Sequence, residues 1–192
     1  MEVTTTALAG VLIVQPKVFA DARGFFLESF NQRQFDAAVG APVTFVQDNH
    51  SRSARGVLRG LHMQVGAHAQ GKLVRVTSGR IFDIAVDVRI GSPTYRQWVG
   101  LELDDVGHRQ LWIPPGLAHG FLVMSESADV QYKTTDYYMP AAEVGIRWDD
   151  PALAIAWPTL GVPYVLSDKD RAAGSVDAAV GIRKCAVARG PA

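Results

Sequence analysis

The sequence predicts an all-β fold, a sandwich or barrel of short strands, and three observations predict it. Strand-like runs follow one another closely along most of the chain. Residues 81–89 alternate, with Phe82, Ile84, Val86 and Val88 on one parity and Ile81, Asp83, Ala85, Asp87 and Arg89 on the other. That period of two predicts a strand with one apolar face. The 18 glycines and 10 prolines are scattered at short intervals, as tight turns between brief strands require.

Taken in order, strands are expected at Val11–Val14, Gly24–Phe30, Thr44–His50, Val57–Gln64, Lys72–Thr77, Ile81–Arg89, Trp98–Leu103, Arg109–Ile113, His119–Met124 and Ala128–Thr134. The turn Ser78-Gly79-Arg80 predicts a hairpin between the fifth and sixth of these. One helix is expected over Asn31–Val39, where Asn31 can cap, Phe35 with Ala38 or Val39 makes an apolar stripe, and Gly40 can end it. It is short and peripheral. Residues 1–192 read as one domain, with an Ala-, Gly- and Val-rich tail from about residue 173 whose last residues are expected to be poorly ordered.

Composition narrows the function. Nineteen Lys and Arg balance nineteen Asp and Glu, so the basic excess of a nucleic-acid binder is missing. Hydrophobic residues at 48% and charged ones at 20% are globular usage, not disorder. The apolar run Ala7–Val14 falls well short of the roughly 20 residues that span a bilayer, and no basic segment precedes it, so neither a membrane anchor nor export is expected. The single cysteine, Cys185, permits no intrachain disulfide and no cysteine-based zinc site, which fits a reducing cytoplasm.

Several motifs carry chemistry. Gly56 to Gln64, read as a strand, places Arg59, Leu61 and Met63 on one parity and Leu58, Gly60, His62 and Gln64 on the other, aiming His62 and Gln64 to one side. Taken alone, His62 reads equally as a histidine satisfied in a strand core, and Lys72 as a solvated charge at a strand start. Pro114-Pro115-Gly116-Leu117-Ala118-His119 has the P-x-G-x-x-H spacing common in jelly-roll cupins, where a Pro-Gly turn leads into a strand facing the barrel interior. Metal cupins complete such a site with an H-x-H pair and a carboxylate. Here the earlier element is His62-Met63-Gln64, and neither His50 nor His68 has ligand spacing, so no metal is expected. Tyr132, Tyr137 and Tyr138 cluster within seven residues, which edge-strand or interface packing also explains. Gly71-Lys72 lacks the rest of a phosphate loop, and no G-x-S-x-G nucleophile elbow occurs.

Seven segments in register, Asp21–Glu28, Phe45–Ser51, Leu58–Gln64, Gln70–Arg75, Ile113–Phe121, Tyr132–Tyr138 and Leu166–Asp170, resemble the dTDP-4-dehydrorhamnose 3,5-epimerase family over roughly residues 1–172. The resemblance implies a cupin jelly roll with a few short peripheral helices, a homodimer whose strands pair or pack across subunits, and no metal or organic cofactor. The implied reaction inverts C3 and C5 of dTDP-4-dehydro-6-deoxy-D-glucose, giving dTDP-4-dehydro-L-rhamnose on the way to L-rhamnose for cell-surface polysaccharide. The C4 ketone acidifies the protons on both neighbouring carbons. A base, an acid on the opposite ring face and a donor for the enolate oxygen therefore suffice.

By the same resemblance His62 is the base and Asp170 the carboxylate that orients it, with Asp168 as the competing candidate; Asp170 is favoured because it follows Lys169 in the family's Lys-Asp pair. Tyr132 matches the acid, and Lys72 the residue facing the C4 oxygen. Arg23, Glu28, Gln47, Asn49, Arg59, His119, Glu143 and Lys169 match binding residues. Among them, Arg23, Arg59 and Lys169 suit the pyrophosphate. Tyr138 would stack on thymine, and Phe26 would help line the pocket. Met63 stands where an aromatic is common, and the tail after Ala172 matches no segment of the family. Relatives that invert only C3 or only C5 share His62, Lys72 and the aspartate, so a mono-epimerase stays open, as do a metal-dependent cupin isomerase and a non-catalytic sugar-binding cupin.

Overall fold

The structure, a computed structural model, describes residues 1–179; Cys185 and the last part of the expected tail lie outside the described residues. Thirteen strands form among them: Glu2–Thr5 (β1), Leu12–Gln15 (β2), Val18–Asp21 (β3), Gly24–Leu27 (β4), Gln47–Ala54 (β5), Leu58–Gln64 (β6), Lys72–Ser78 (β7), Arg80–Asp87 (β8), Trp98–Asp104 (β9), Gln110–Ile113 (β10), Leu117–Val123 (β11), Ser127–Thr134 (β12) and Glu143–Gly145 (β13). Two helices, Gln32–Val39 (α1) and Asp168–Arg171 (α2), lie outside the sheets. A six-stranded sheet in the order β1-β2-β10-β7-β12-β5 faces a five-stranded sheet in the order β13-β6-β11-β8-β9, and β3 and β4 form a separate hairpin. This is the all-β jelly roll expected.

The space between the sheets is filled by Val74, Val76, Leu111, Ile113, Ala128 and Val130 from one side and Ile81, Ala85, Leu103, Phe121 and Val123 from the other. Each sheet is also covered on its outer face. Phe35 of α1 packs edge-on against Trp112, with ring centroids 5.2 Å apart, over Leu12, Val14 and Leu73. The chain from Val144 to Ala179 lays Ile146, Leu153 and Val176 over Leu61, Met63, Ile84 and Val86. Packing thus runs past residue 172, where Gly174 bridges Ile146 and Ala179 is buried, so a tail boundary at residue 173 is too early.

The outer cover corrects the expectation of one apolar face for residues 81–89. Ile81 and Ala85 join the inter-sheet core while Ile84, Val86 and Val88 join the outer one. Asp83 and Asp87, wholly buried, persist there because each is paired: Asp83 with His119, and Asp87 with Arg89, Ser92 and Thr94. The expected hairpin is also overturned. β7 and β8 belong to different sheets, and Gly79 at φ +79° turns the chain across the barrel, where a Cβ would lie 2.1 Å from the Ser127 carbonyl oxygen. The helix stands as expected: Asn31 Oδ1 accepts from the Gln34 N–H at 3.2 Å and Gly40 ends it at φ 82°.

Candidate active site

The site begins with an irregularity in β6. Arg59 pairs with Phe121 and His62 with His119, so three steps along β6 match two along β11. The extra residue is a β-bulge at Gly60-Leu61. Gly60 is at φ +116°, and a Cβ there would sit 2.7 Å from the Gly120 Cα, so the strands can approach this closely only with glycine. Simple alternation puts Arg59 and His62 on opposite faces. The bulge turns both into one cavity of about 500 Å³, which Lys72, His119, Tyr132 and Asp170 also line. An adjoining cavity of about 370 Å³ shares His62, Lys72, Tyr132 and Lys169 and extends the site to Gln47, Asn49, Tyr138 and Glu143.

His62 Nε2 donates to Asp170 Oδ1 at 2.6 Å, so the Nδ1 side of the ring is left for the cavity. Asp170 is 4% exposed, whereas Asp168, the competing candidate, is on the solvent side of α2. The local sequence explains this placement. Ser167 caps α2, accepting from the Asp170 N–H and donating its hydroxyl to Asp170 Oδ2 at 2.7 Å. Burial opposes the Asp170 charge, but hydrogen bonds from His62, Ser167 and the Gly60 backbone outweigh it and hold the carboxyl below its ordinary range.

Lys72 opens β7 from the opposite sheet and is 9% exposed, its Nζ 3.4 Å from the His62 carbonyl oxygen. Burial pulls its ammonium down to about 8, against the carboxylates of Glu143 and Asp83, while Lys169 adds to the lowering. Tyr132, also from the six-stranded sheet, has its phenol raised by burial; Arg59 works against that rise and Glu143 adds to it. His119 donates Nε2 to Asp83 Oδ1 at 2.7 Å, deep in the barrel wall.

The rim is a chain of contacts. Tyr138 donates its hydroxyl to Glu143 Oε2 at 2.7 Å, and Lys169 Nζ meets Glu143 Oε1 at 2.5 Å. Burial works against the Glu143 carboxylate, but Lys169 and Tyr138 prevail and keep it low. Gln47 Nε2 donates to Asn49 Oδ1, and Arg59 Nε to Ser53 Oγ.

Three residues named from the resemblance line neither cavity of their own chain: Arg23, Phe26 and Glu28. Arg23 lies in the turn of the β3-β4 hairpin and pairs with Asp21, Phe26 is 69% exposed, and Glu28 accepts from Asn31 and Gln34 at the start of α1. Arg23 and Phe26 belong to the β3-β4 hairpin, which joins neither large sheet, and Glu28 follows it. Conversely, Ser51 lines the larger cavity and Ser53 holds Arg59, though neither is anticipated from the sequence. A period-two row of polar residues, Gln47, Asn49, Ser51 and Ser53, alternates with Asp48, His50 and Arg52 and was the available signal. β5 runs on to Ala54 rather than ending at His50 because residues 51–54 pair with Ser127–Val130 of β12.

A jelly roll that gathers a histidine–aspartate pair, a buried lysine and a phenol around one cavity belongs to the class of cupin-type acid–base enzymes. Comparison with known proteins makes the class specific. The sequence pattern of the dTDP-4-dehydrorhamnose 3,5-epimerases matches residues 5–178. The dTDP-4-dehydrorhamnose 3,5-epimerase of Pseudomonas aeruginosa is 58% identical over 171 residues, 89% of this chain and 93% of that one. The enzyme of that name from Salmonella typhimurium is 55% identical over 180 residues, covering 94% and 98%. The crystal structure of dTDP-6-deoxy-D-glucose-3,5-epimerase from Legionella pneumophila, in complex with dTDP-4-keto-L-rhamnose, superposes with a TM-score of 0.89 at 50% identity, covering 92% and 93% of the two chains. The chain belongs to the dTDP-4-dehydrorhamnose 3,5-epimerase family.

Proposed function

We propose that this cavity inverts C3 and C5 of dTDP-4-dehydro-6-deoxy-D-glucose, giving dTDP-4-dehydro-L-rhamnose for dTDP-L-rhamnose synthesis in the cytoplasm. One observation carries the proposal: His62 comes from the five-stranded sheet and Tyr132 from the six-stranded sheet, and both line the same cavity. A ring bound between the sheets has the imidazole on one face and the phenol on the other. His62 takes the proton from the carbon beside the ketone, and Asp170 stabilises the imidazolium formed. The C–H electron pair moves into a C=C bond as the carbonyl pair moves to the C4 oxygen. Lys72 meets that oxyanion, a contact that strengthens as charge builds and so favours the transition state. Tyr132 then delivers its hydroxyl proton to the same carbon from the opposite face, and both groups return to their starting protonation by exchange with water. Repetition at the second carbon completes the reaction.

Arg59 and Lys169 suit the pyrophosphate, Gln47, Asn49 and His119 the sugar and nucleotide, and Tyr138 the thymine face. Arg23, Phe26 and Glu28 find a role in a homodimer. Phe19 and Phe26, 52% and 69% exposed, pair across one face of the small hairpin, their ring centroids 6.4 Å apart, and form an apolar face that suits burial by a second copy. Docked there, the hairpin brings Arg23 and Phe26 to the partner's cavity.

Proton NMR of the product, formed from dTDP-4-dehydro-6-deoxy-D-glucose and trapped by a 4-reductase, tests the reaction. Inversion at both carbons is expected; inversion at one alone would make the chain a mono-epimerase. Sedimentation should give the mass of two chains, and Arg23→Ala should weaken dTDP binding even though Arg23 lies outside its own chain's cavity.

A further inference from the structure

Gln64 ends the motif His62-Met63-Gln64 and has no part in the proton transfers. It is 4% exposed, and its amide is fully engaged. Nε2 donates to the carbonyl oxygens of His68 at 2.8 Å and Tyr137 at 3.1 Å, while Oε1 accepts from the Met139 N–H at 2.7 Å. Two donors and an acceptor are what a carboxamide offers. Carbonyl oxygens at one end and an N–H at the other fix which way it points. Two of these bonds grip the backbone on either side of Tyr138. The Tyr138 N–H itself donates to Gln47 Oε1 at 3.0 Å, and Gln70 Nε2 donates to the Asp136 carbonyl oxygen at 2.7 Å. Residues 136–139 belong to no strand or helix, so their polar groups need partners from elsewhere. Three glutamines supply four of these bonds, beside those from Thr134 Oγ1 to the Asp136 carbonyl, from the Tyr137 N–H to Asp136 Oδ1 and from the Ala142 N–H to the Met139 carbonyl. Tyr138 is 52% exposed, so its place depends heavily on its backbone and on its hydroxyl bond to Glu143.

We propose that Gln64 is a positioning residue for the nucleotide base: it fixes the segment that presents Tyr138, so that the aromatic platform exists before the ligand arrives. The inference deepens the proposed function and rests on its reading of Tyr138 as the thymine partner. The chemistry requires an amide. A glutamate at this position sets carboxylate oxygens against two carbonyls, and leucine leaves the Tyr137 carbonyl and the Met139 N–H unpaired. With the platform loosened, binding must first order it, which weakens affinity without touching the reacting atoms.

The test is a double-mutant cycle with Gln64→Leu and Tyr138→Ala, read by calorimetry of dTDP and of inorganic pyrophosphate and by steady-state kinetics. Gln64→Leu should raise the dTDP Kd and the substrate KM about tenfold, leave kcat within about twofold and leave the pyrophosphate Kd unchanged. In the Tyr138→Ala background the same substitution should have no further effect. Additive losses in the cycle, or a fallen kcat with KM unmoved, overturn the positioning role. If Tyr138→Ala alone leaves the dTDP Kd unchanged, the stacking role of Tyr138 fails first. Should Gln64→Leu not fold, Gln64→Asn, which withdraws the amide by one methylene, carries the same cycle with the same outcomes.

Discussion

His62 and His119 stand opposite each other on neighbouring strands, and each donates Nε2 to an aspartate, yet the two pairs are built differently. Asp170 sits on a short helix outside the sheets, and both its oxygens are engaged, by His62 and by Ser167. The His62 side chain keeps 28% of its surface open. Asp83 lies wholly inside β8, its Oδ2 without a partner, and His119 is 8% exposed. An open imidazole backed by a carboxylate whose oxygens are satisfied can receive and release a proton repeatedly. An enclosed pair with an idle oxygen instead spreads its field inward, and Asp83 is one of the two carboxylates that hold up the charge on Lys72. On the proposed mechanism the first pair moves protons, and the second fixes geometry and electrostatics.

The comparison breaks most visibly at the base. His62→Ala should lower kcat by about 10⁴-fold while dTDP affinity stays nearly the same, since other residues hold the nucleotide; calorimetry beside stopped assays separates the two, and near-normal turnover removes His62 from its role. The aspartates sharpen the contrast. Asp170→Asn keeps the shape but withdraws the charge behind the imidazolium, and kcat should fall by about 10²- to 10⁴-fold. Asp83→Asn should spare kcat at neutral pH to within about tenfold, because its histidine takes no proton. Equal losses in the two variants would make the second pair catalytic.

Lys72→Ala should cost about 10²- to 10³-fold in kcat, the size of one lost oxyanion donor. Its titration gives the pH dependence a sign. On the proposed mechanism the ammonium is the active form, and burial brings it down to about 8, so the rate should fall as pH rises through that value. Removing the Asp83 charge lowers the ammonium further, so in Asp83→Asn the alkaline limb should move to lower pH. A limb that stays put in that variant, followed by pH–rate profiles, would disconnect Asp83 from Lys72.

Much of the fold was legible because period two survives in strands such as β12, where Ala128, Val130 and Tyr132 alternate with Asp129, Gln131 and Lys133, and because Asn31 and Gly40 bracket α1. What was hidden depends on tertiary contacts. No local pattern tells that β7 and β8 part into different sheets, since the Ser78-Gly79-Arg80 turn suits a hairpin equally well. The bulge at Gly60 hid the shared face of Arg59 and His62, because alternation counts residues and a bulge inserts one. Asp83 and Asp87 read as a polar face because their partners, His119 far along the chain and the Arg89–Thr94 turn, appear only in three dimensions. Ser167-x-x-Asp170, by contrast, is a capping spacing visible in the sequence, and it favours Asp170 over Asp168 as the buried carboxylate independently of the Lys169-Asp170 pair.

The central claim, a base on one sheet and an acid on the other, is tested most directly by Tyr132→Phe in deuterated water. The substitution keeps the ring, His62, Asp170 and Lys72, and removes only the transferable proton. Mass and NMR analysis of the same quenched samples then follow exchange and inversion together. Deuterium should enter the substrate with configuration retained, while inversion at one or both carbons slows by about 10²-fold or more. Inversion at the wild-type rate in that variant would contradict a phenol that delivers the proton from the opposite face.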